Sequence, residues 1–297
     1  MTRRGFLKGL LGVVLAGLFT AFYAFLLEPS LRFRVKRWKP DVPGWPSGRR
    51  LTIAVVADLH MGGPWMTLRR LRMIITRTNA IGADVIVVLV DRAAGHRFVQ
   101  RPVKVADTGR VLGGLVAPLG VFGVLCNHDW WDDLDARRRG HGPVLAGLAM
   151  ETNGIRVLEN QTLRLGEGDE AFWLAGLGDQ LALPRSGGRY DGVDDLPGTL
   201  AQIPDDGAPA ILLAHEPDIF PKVPDRVALT LSGHTHGGQF NLFGWRPVVP
   251  SRFGPRFAYG PVTEGQRCIV TSGWLGCSII PVRFDVVPEV TVVELGA

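Results

Sequence analysis

The chain has 297 residues, with 33 Lys and Arg against 28 Asp and Glu, a net charge of +5, 46% apolar residues and three cysteines. Residues 1 to 50 hold ten of the basic residues and two of the acidic ones, a local net of +8 that leaves the remainder at −3. The positive balance therefore belongs to the amino-terminal flank, which excludes a basic nucleic-acid-binding face on the body of the chain. No repeat, low-complexity tract, CxxC or zinc-ribbon spacing occurs.

In chain order, Thr2-Arg3-Arg4-Gly5-Phe6-Leu7-Lys8 matches the twin-arginine export pattern, and nineteen uncharged residues, Gly9 to Leu27, follow it. A bilayer needs about 20 apolar residues. Leu26-Leu27-Glu28-Pro29 offers no small-x-small cleavage site, so residues 1–28 are expected to be a retained signal or membrane anchor. The expected location is the cell membrane, with the body of the chain on the extracytoplasmic, periplasmic side. Residues 29–50 read as a basic, Pro-rich linker whose Arg32, Arg34, Lys36, Arg37 and Lys39 would sit at anionic headgroups. Counted by the positive-inside rule, those five oppose the three cations at the N-terminus. The export motif takes precedence in this reading.

Residues 51–297 are long enough for one α/β domain with a sizeable core. Leu51 to Ala57, Val85 to Val90, Val121 to Leu125, Ile211 to Ala214 and Val227 to Leu231 are apolar runs that read as buried strands. Thr67 to Ala80 reads as a helix, and Asp132 to Met150 as helical with a break at Gly140 to Pro143. Ile269 to Thr271, Arg283 to Val287 and Val290 to Leu295 read as late strands.

A short polar cluster follows each of the five apolar runs: Asp58-Leu59-His60, then Asp91, Asn127-His128-Asp129, His215, and Ser232-Gly233-His234-Thr235-His236-Gly237-Gly238-Gln239. Strand ends converge on one edge of a sheet, and that edge is where α/β folds bind ligands. Imidazole and carboxylate together suit Mn, Fe or Zn. Two Asp, four His and one Asn exceed one tetrahedral site and suit a pair of divalent ions, which clamp a phosphoryl group for in-line displacement.

Separately the pieces are weak. Asp-x-His is compatible with a turn aspartate and a satisfied histidine, Asn127 with a helix cap, and His215-Glu216-Pro217 with a strand end meeting a Pro-started helix. Two histidines at i and i+2 between glycines have no such packing rationale. In their order and spacing, Asp-x-His, Asp, Asn-His-Asp, His and Gly-His-Thr-His-Gly-Gly-Gln resemble the calcineurin-like metallophosphoesterases, over roughly residues 50 to 296. Thr271 to Gly276 and Pro281 to Phe284 are similar to the tail of that family's membrane-associated, twin-arginine-exported branch.

The resemblance implies a four-layer α/β/β/α sandwich behind one N-terminal anchor helix. It implies that Asp58, His60 and His236 hold one ion, that Asn127, His215 and His234 hold the other, and that Asp91 bridges them. His128 would donate a proton or hydrogen bond to the phosphate or leaving group, and Asp129 would orient its imidazole and favour the charged form. The nucleophile would be a metal-bound hydroxide. The implied activity is hydrolysis of a phosphomonoester, phosphodiester or pyrophosphate bond in a phosphorylated small-molecule or lipid-linked envelope substrate.

Three departures motivate an alternative, a catalytically impaired metal- or phosphate-binding envelope protein. Val90 and Cys126 stand where the family has glycine, and Ala94 where it has a second aspartate. A β-branched residue held at positive φ costs about 1 to 3 kcal/mol. A third reading is a structural membrane protein with incidental histidines. Cys126 is either a metal-adjacent thiolate or a small buried thiol. Cys268 and Cys277 pair only if the fold brings them within reach. His96, His141 and Tyr259 lie outside the pattern and are read as loop or surface residues, His96 and Tyr259 close enough in sequence to line the cleft.

Overall fold

The computed structural model describes residues 2–92, 94–95 and 98–296, so His96 lies outside the described residues. The apolar runs form strands because both of their faces are covered. In Leu51–Ala57, residues Leu51, Ile53, Val55 and Ala57 point toward the second sheet, while Ala54 and Val56 point toward helices. Val87 and Val88 divide in the same way. A strand so placed cannot alternate polar and apolar positions, which is why these runs read as continuous.

The first sheet runs in the order Arg34–Trp38, Glu289–Leu295, Leu51–Ala57, Val85–Leu89, Val121–Val124 and Arg156–Val157. From Leu51–Ala57 onward its neighbours are parallel. The second runs Gly260–Glu264, Arg267–Thr271, Val227–Ser232, Ala210–Leu213, Phe172–Gly176 and Gln161–Leu165, parallel in its four central strands. The sheets face each other across a core that includes Phe122, Val124, Phe172, Leu213, Leu229 and Val270. Leu71, Ile74 and Met150 cover the outer face of the first sheet, and Leu200, Ile219 and Phe220 that of the second. The layers are therefore helix, sheet, sheet, helix, as expected.

The helix after the first strand spans Leu68–Asn79, with Thr67 accepting from the Arg70 amide at its start. The later helical region is broken as expected, between Leu134–Arg139 and Leu145–Glu151, where Gly140 takes φ 74°. One expected strand is absent. Arg283 to Val287 is no strand and makes one bridge, Phe284 to Phe240. The buried Arg283 guanidinium instead donates to the Gly273, Gly276 and Val286 carbonyls, folding the segment around itself. Cys268 and Cys277 are not joined; all three cysteines are free and buried.

Arg3–Leu31 is a single helical stretch of 29 residues, long and apolar enough to cross a membrane. Its end is fixed to the domain. The Arg283 amide donates to Ala24, Trp65 Nε1 donates to the Phe25 carbonyl, and the buried Glu28 carboxylate accepts from the Asp285 and Val286 amides at 3.1 and 2.7 Å. The segment expected to be a linker contributes the edge strand Arg34–Trp38, parallel to Glu289–Leu295. Three of its five expected headgroup cations are held by carboxylates of that neighbouring strand: Arg34 pairs with Glu289, and Arg37 and Lys39 pair with Glu294.

Glu28→Ala leaves the Val286 amide buried without an acceptor, a loss of about 1 to 3 kcal/mol. A lower urea midpoint in detergent is expected, with faster proteolysis between Phe22 and Leu31. An unchanged midpoint and cleavage rate would show that the helix end is not fixed in this way.

Candidate metal centre

The strands that carry the polar clusters are parallel within each sheet, so their carboxyl ends lie along one edge of the sandwich. Asp58 and His60 follow Leu51–Ala57, Asp91 follows Val85–Leu89, and Asn127 opens the helix Asn127–Asp132 after Val121–Val124. His215 follows Ala210–Leu213 in the other sheet, and His234 and His236 follow Val227–Ser232. All seven expected ligand positions meet there.

His60 Nε2 is 3.3 Å from Asp91 Oδ2. His215 Nε2 is 3.2 Å from Asn127 Oδ1, 3.6 Å from Asp58 Oδ1 and 3.9 Å from Asp91 Oδ2. The His60 and His236 rings are 5.1 Å apart, as are those of His215 and His234. Donor atoms bound at about 2.0 to 2.2 Å to a shared ion lie about 3 to 3.5 Å apart, close to these separations.

Five of the seven positions, Asp58, His60, Asp91, His234 and His236, have φ between 24° and 67°. Such backbone costs of order 1 to 3 kcal/mol per residue away from glycine and collects where function demands it. Gly233 shows how tightly the turn is drawn, because a Cβ there would run into the Asp58 carboxylate. Val90 and Cys126 do not share this conformation. Val90 is absent from the positive-φ residues and is buried in the core, and Cys126 is extended at φ −124°. The strain expected at position 90 is not present, and with it goes the main support for an impaired protein. The Cys126 thiol lies in the core between the sheets, and burial pushes it well above the ordinary thiol range, as in a small buried hydrophobe.

The electrostatics follow from burial. Asp58 is raised by burial above all, and Asp91 by burial and then by Asp58. Burial also lowers His215, His236 and His234, the last to about 4. These imidazoles are therefore neutral at pH 7 and keep a lone pair free for coordination. Asp91 Oδ1 is buried without a hydrogen-bond partner among the described residues. His236 has its tautomer set from behind: its Nδ1 contacts Gln239 Oε1 at 2.7 Å, and that oxygen also accepts from the Ser278 amide. Neutral imidazoles, an unpartnered carboxylate oxygen and a fixed tautomer fit divalent cations.

His128 lines a cavity of about 180 Å³ together with Asp91, Asn127, Trp131, Val248 and Ile279. Its ring packs 4.7 Å from Trp131 and 5.6 Å from His60. Asp129 does not orient it. The Asp129 carboxylate accepts from the Arg92 and Cys126 amides, closing the start of its helix, and burial lowers His128 to about 4 instead of favouring its charged form. Tyr259 is tied to Glu289 and Arg34, and His141 is exposed.

Two residues beside the site were not foreseen. The Glu216 carboxylate belongs to a compact group with His215 and His234, and Gln180 donates to it through its amide and side chain. Asp179 lies against it, burial raising Glu216 to about 7 and Asp179 well above its ordinary value. His215-Glu216-Pro217 holds the only signal of this in the sequence.

The profile of a family described as calcineurin-like phosphoesterase matches residues 51–238. The chain is 31% identical, over 99% of its length and 98% of the relative's, to the uncharacterized metallophosphoesterase YkuE of Bacillus subtilis. It is 33% identical to the phosphodiesterase YaeI of Escherichia coli over 51% of each chain. It is 32% identical to a bovine transmembrane protein with metallophosphoesterase domain, over 65% of this chain and 42% of the relative.

Ion uptake by these candidate ligands would require Asp58 and Asp91 ionised and the imidazoles neutral. Folded carboxyls raised above their unfolded value near 4 stabilise the ion-free protein at low pH and lose that contribution as pH rises through the raised values. A divalent ion reverses the trend, so the rise in Tm when Mn(II) is returned to stripped protein should be larger at about pH 8 than at about pH 5. Equal rises would show that these groups do not take up the ion.

Proposed function

Since the chain belongs to the calcineurin-like phosphoesterase family, we propose that it is a dinuclear-metal-dependent phosphoesterase that cleaves a phosphoester or pyrophosphate bond. The observation that carries this reading is the convergence of two buried aspartates, four buried or half-buried histidines and Asn127 from both sheets on one another, at the wall of a cavity that Asp91, Asn127, His234 and His236 line. Divalent ions held there, Mn, Fe or Zn by the donor set, would supply positive charge for phosphoryl oxygens and lower the pKa of water.

Asp58, His60 and His236 would hold one ion, and Asn127, His215 and His234 the other. Asp91 would serve both, since its Oδ2 stands between His60 Nε2 and His215 Nε2. Gln239 keeps the proton of His236 on Nδ1 and leaves Nε2 for coordination. His128 acts as a neutral imidazole that donates to a phosphoryl or leaving-group oxygen from the cavity wall. Asp129 supports it indirectly, by fixing the first turn of its helix. Trp131, Val248 and Ile279 supply apolar wall around the reacting group.

The helix Arg3–Leu31 retains the enzyme at the cell membrane, and Arg3-Arg4 directs twin-arginine export, placing the domain on the periplasmic side. Arg34, Arg37 and Lys39 are consumed within the folded domain, which supports counting Arg3, Arg4 and Lys8 as the cytoplasmic set. The substrate is a phosphorylated small molecule or a lipid-linked envelope phosphate. The names of the E. coli and bovine relatives support the diester reading and the membrane setting respectively.

Metal analysis of purified protein, joined to a screen of mono-, di- and pyrophosphate esters, tests this directly. Asp91→Asn should lose metal and turnover together. His128→Ala should keep its metal and lose rate by about 10²- to 10⁴-fold. Full turnover in both variants would remove the assigned roles.

A further inference from the structure

Exposed apolar side chains lie in the two segments that carry Val248 and Ile279, residues of the cavity wall. Phe243 is 99% exposed, Ile279 67% and Trp245 63%, and Val248 and Ile280 are also exposed. Val248 and Ile279 line the cavity itself. Leu242 and Trp245 exchange backbone hydrogen bonds around a two-residue turn in which Phe243 and Gly244 have φ 52° and 93°. Such turns favour Asn-Gly, and a bulky aromatic at positive φ is an outlier. Ile279, β-branched, has φ 62°. The backbone is strained at the two points where it holds a large apolar side chain outward.

These residues are continuous with the end of the membrane-length helix. The Tyr23 ring packs edge-on against Phe284 at 6.3 Å, and Phe284 stacks on Phe240 at 5.3 Å. Phe240 begins the segment that carries the hairpin, and at no more than about 3.3 to 3.6 Å per residue its tip lies within about 11 Å of that stack. On its other side the hairpin is tied to the site, because Arg246 donates to the Gly237 carbonyl beside His236. Helix end, aromatic stack, hairpin and cavity wall are thus joined by one run of contacts.

We propose that Phe243, Trp245, Val248, Ile279 and Ile280 seat in the interface of the bilayer spanned by Arg3–Leu31, so that the cavity opens at the membrane surface. Aromatic and aliphatic side chains at this level gain by leaving water, and the fixed helix end holds the domain at the required height. The consequence for chemistry rests on the phosphoesterase reading: the favoured substrate is an amphiphile whose phosphate lies at headgroup depth and whose chains remain in the bilayer.

The test uses the full chain in phospholipid vesicles, with a nitroxide attached at Phe243→Cys. The native cysteines are buried, so the label is specific. The reference is Val116→Cys, an exposed position before the strand Val121–Val124 and so at the edge opposite the site. At 243 the label should respond to dissolved oxygen several-fold more than to a water-soluble nickel chelate, with the reverse at 116. Equal nickel access at both positions would overturn the seating. Dipolar broadening between labels at 243 would overturn it too, by giving the apolar rim to a second copy of the chain.

Phe243→Asp and Trp245→Asp extend the test to substrate. Turnover of a long-chain phosphoester in vesicles should fall several-fold while that of a soluble aryl phosphoester is unchanged; equal effects on both would remove the substrate inference. The label experiment requires no hydrolysis. A chain that turns over neither ester therefore refutes the phosphoesterase reading and leaves the seating to be decided by the label.

Discussion

Two carboxylates, Asp58 and Asp91, are buried at the ends of neighbouring parallel strands with no lysine or arginine in ion-pair contact among the described residues. An ionised carboxylate in such a place is costly unless a positive charge meets it. The surrounding groups are imidazoles that burial keeps neutral. Compensation must then come from bound protons or from cations, and the arrangement of donor atoms favours the latter. The rest of the site can be understood as what holds this unfavourable charge in place.

The surrounding fold supplies that holding force. Each candidate ligand sits in the first residues after a strand whose two faces are packed, so the anchor of every turn is rigid. The turns themselves depart from ordinary backbone geometry at five candidate ligand positions, and the packed strands must oppose that strain. Gln239, fixed by the Ser278 amide, and the buried Arg283, holding three loop carbonyls, keep the late segments closed over the ligand edge. Helix end and candidate centre share this wall, since Glu28 and Arg283 bind the same stretch of chain. The N-terminal apolar helix and the site geometry are thereby mechanically linked.

Much was legible beforehand because certain signals are local. Strands buried on both faces must be apolar throughout, and a polar cluster directly after such a run must lie at a sheet edge. These two facts gave an α/β domain and gathered Asp58, His60, Asp91, Asn127, His215, His234 and His236, while the four layers were implied by the family resemblance alone. Signals that depend on a distant partner were not legible. Arg34–Trp38 is basic and exposed, and becomes a strand only because Glu289–Leu295 lies beside it with Glu289 and Glu294 as counter-charges. Arg283 to Val287 has the composition of a strand, yet its arginine finds three carbonyls that bend it.

By itself the sequence determined the order of the strands' polar ends, the family and the single apolar helix, because each is written in adjacent residues. Only the tertiary structure decided what each side chain faces. Asp129 turns to backbone amides and away from His128, Glu216 and Asp179 stand beside the candidate ligands, and Val90 escapes the left-handed conformation that Asp91 takes up. Orientation depends on neighbours far away in the chain and on which polar group each buried atom can reach, and neither is encoded at the residue itself.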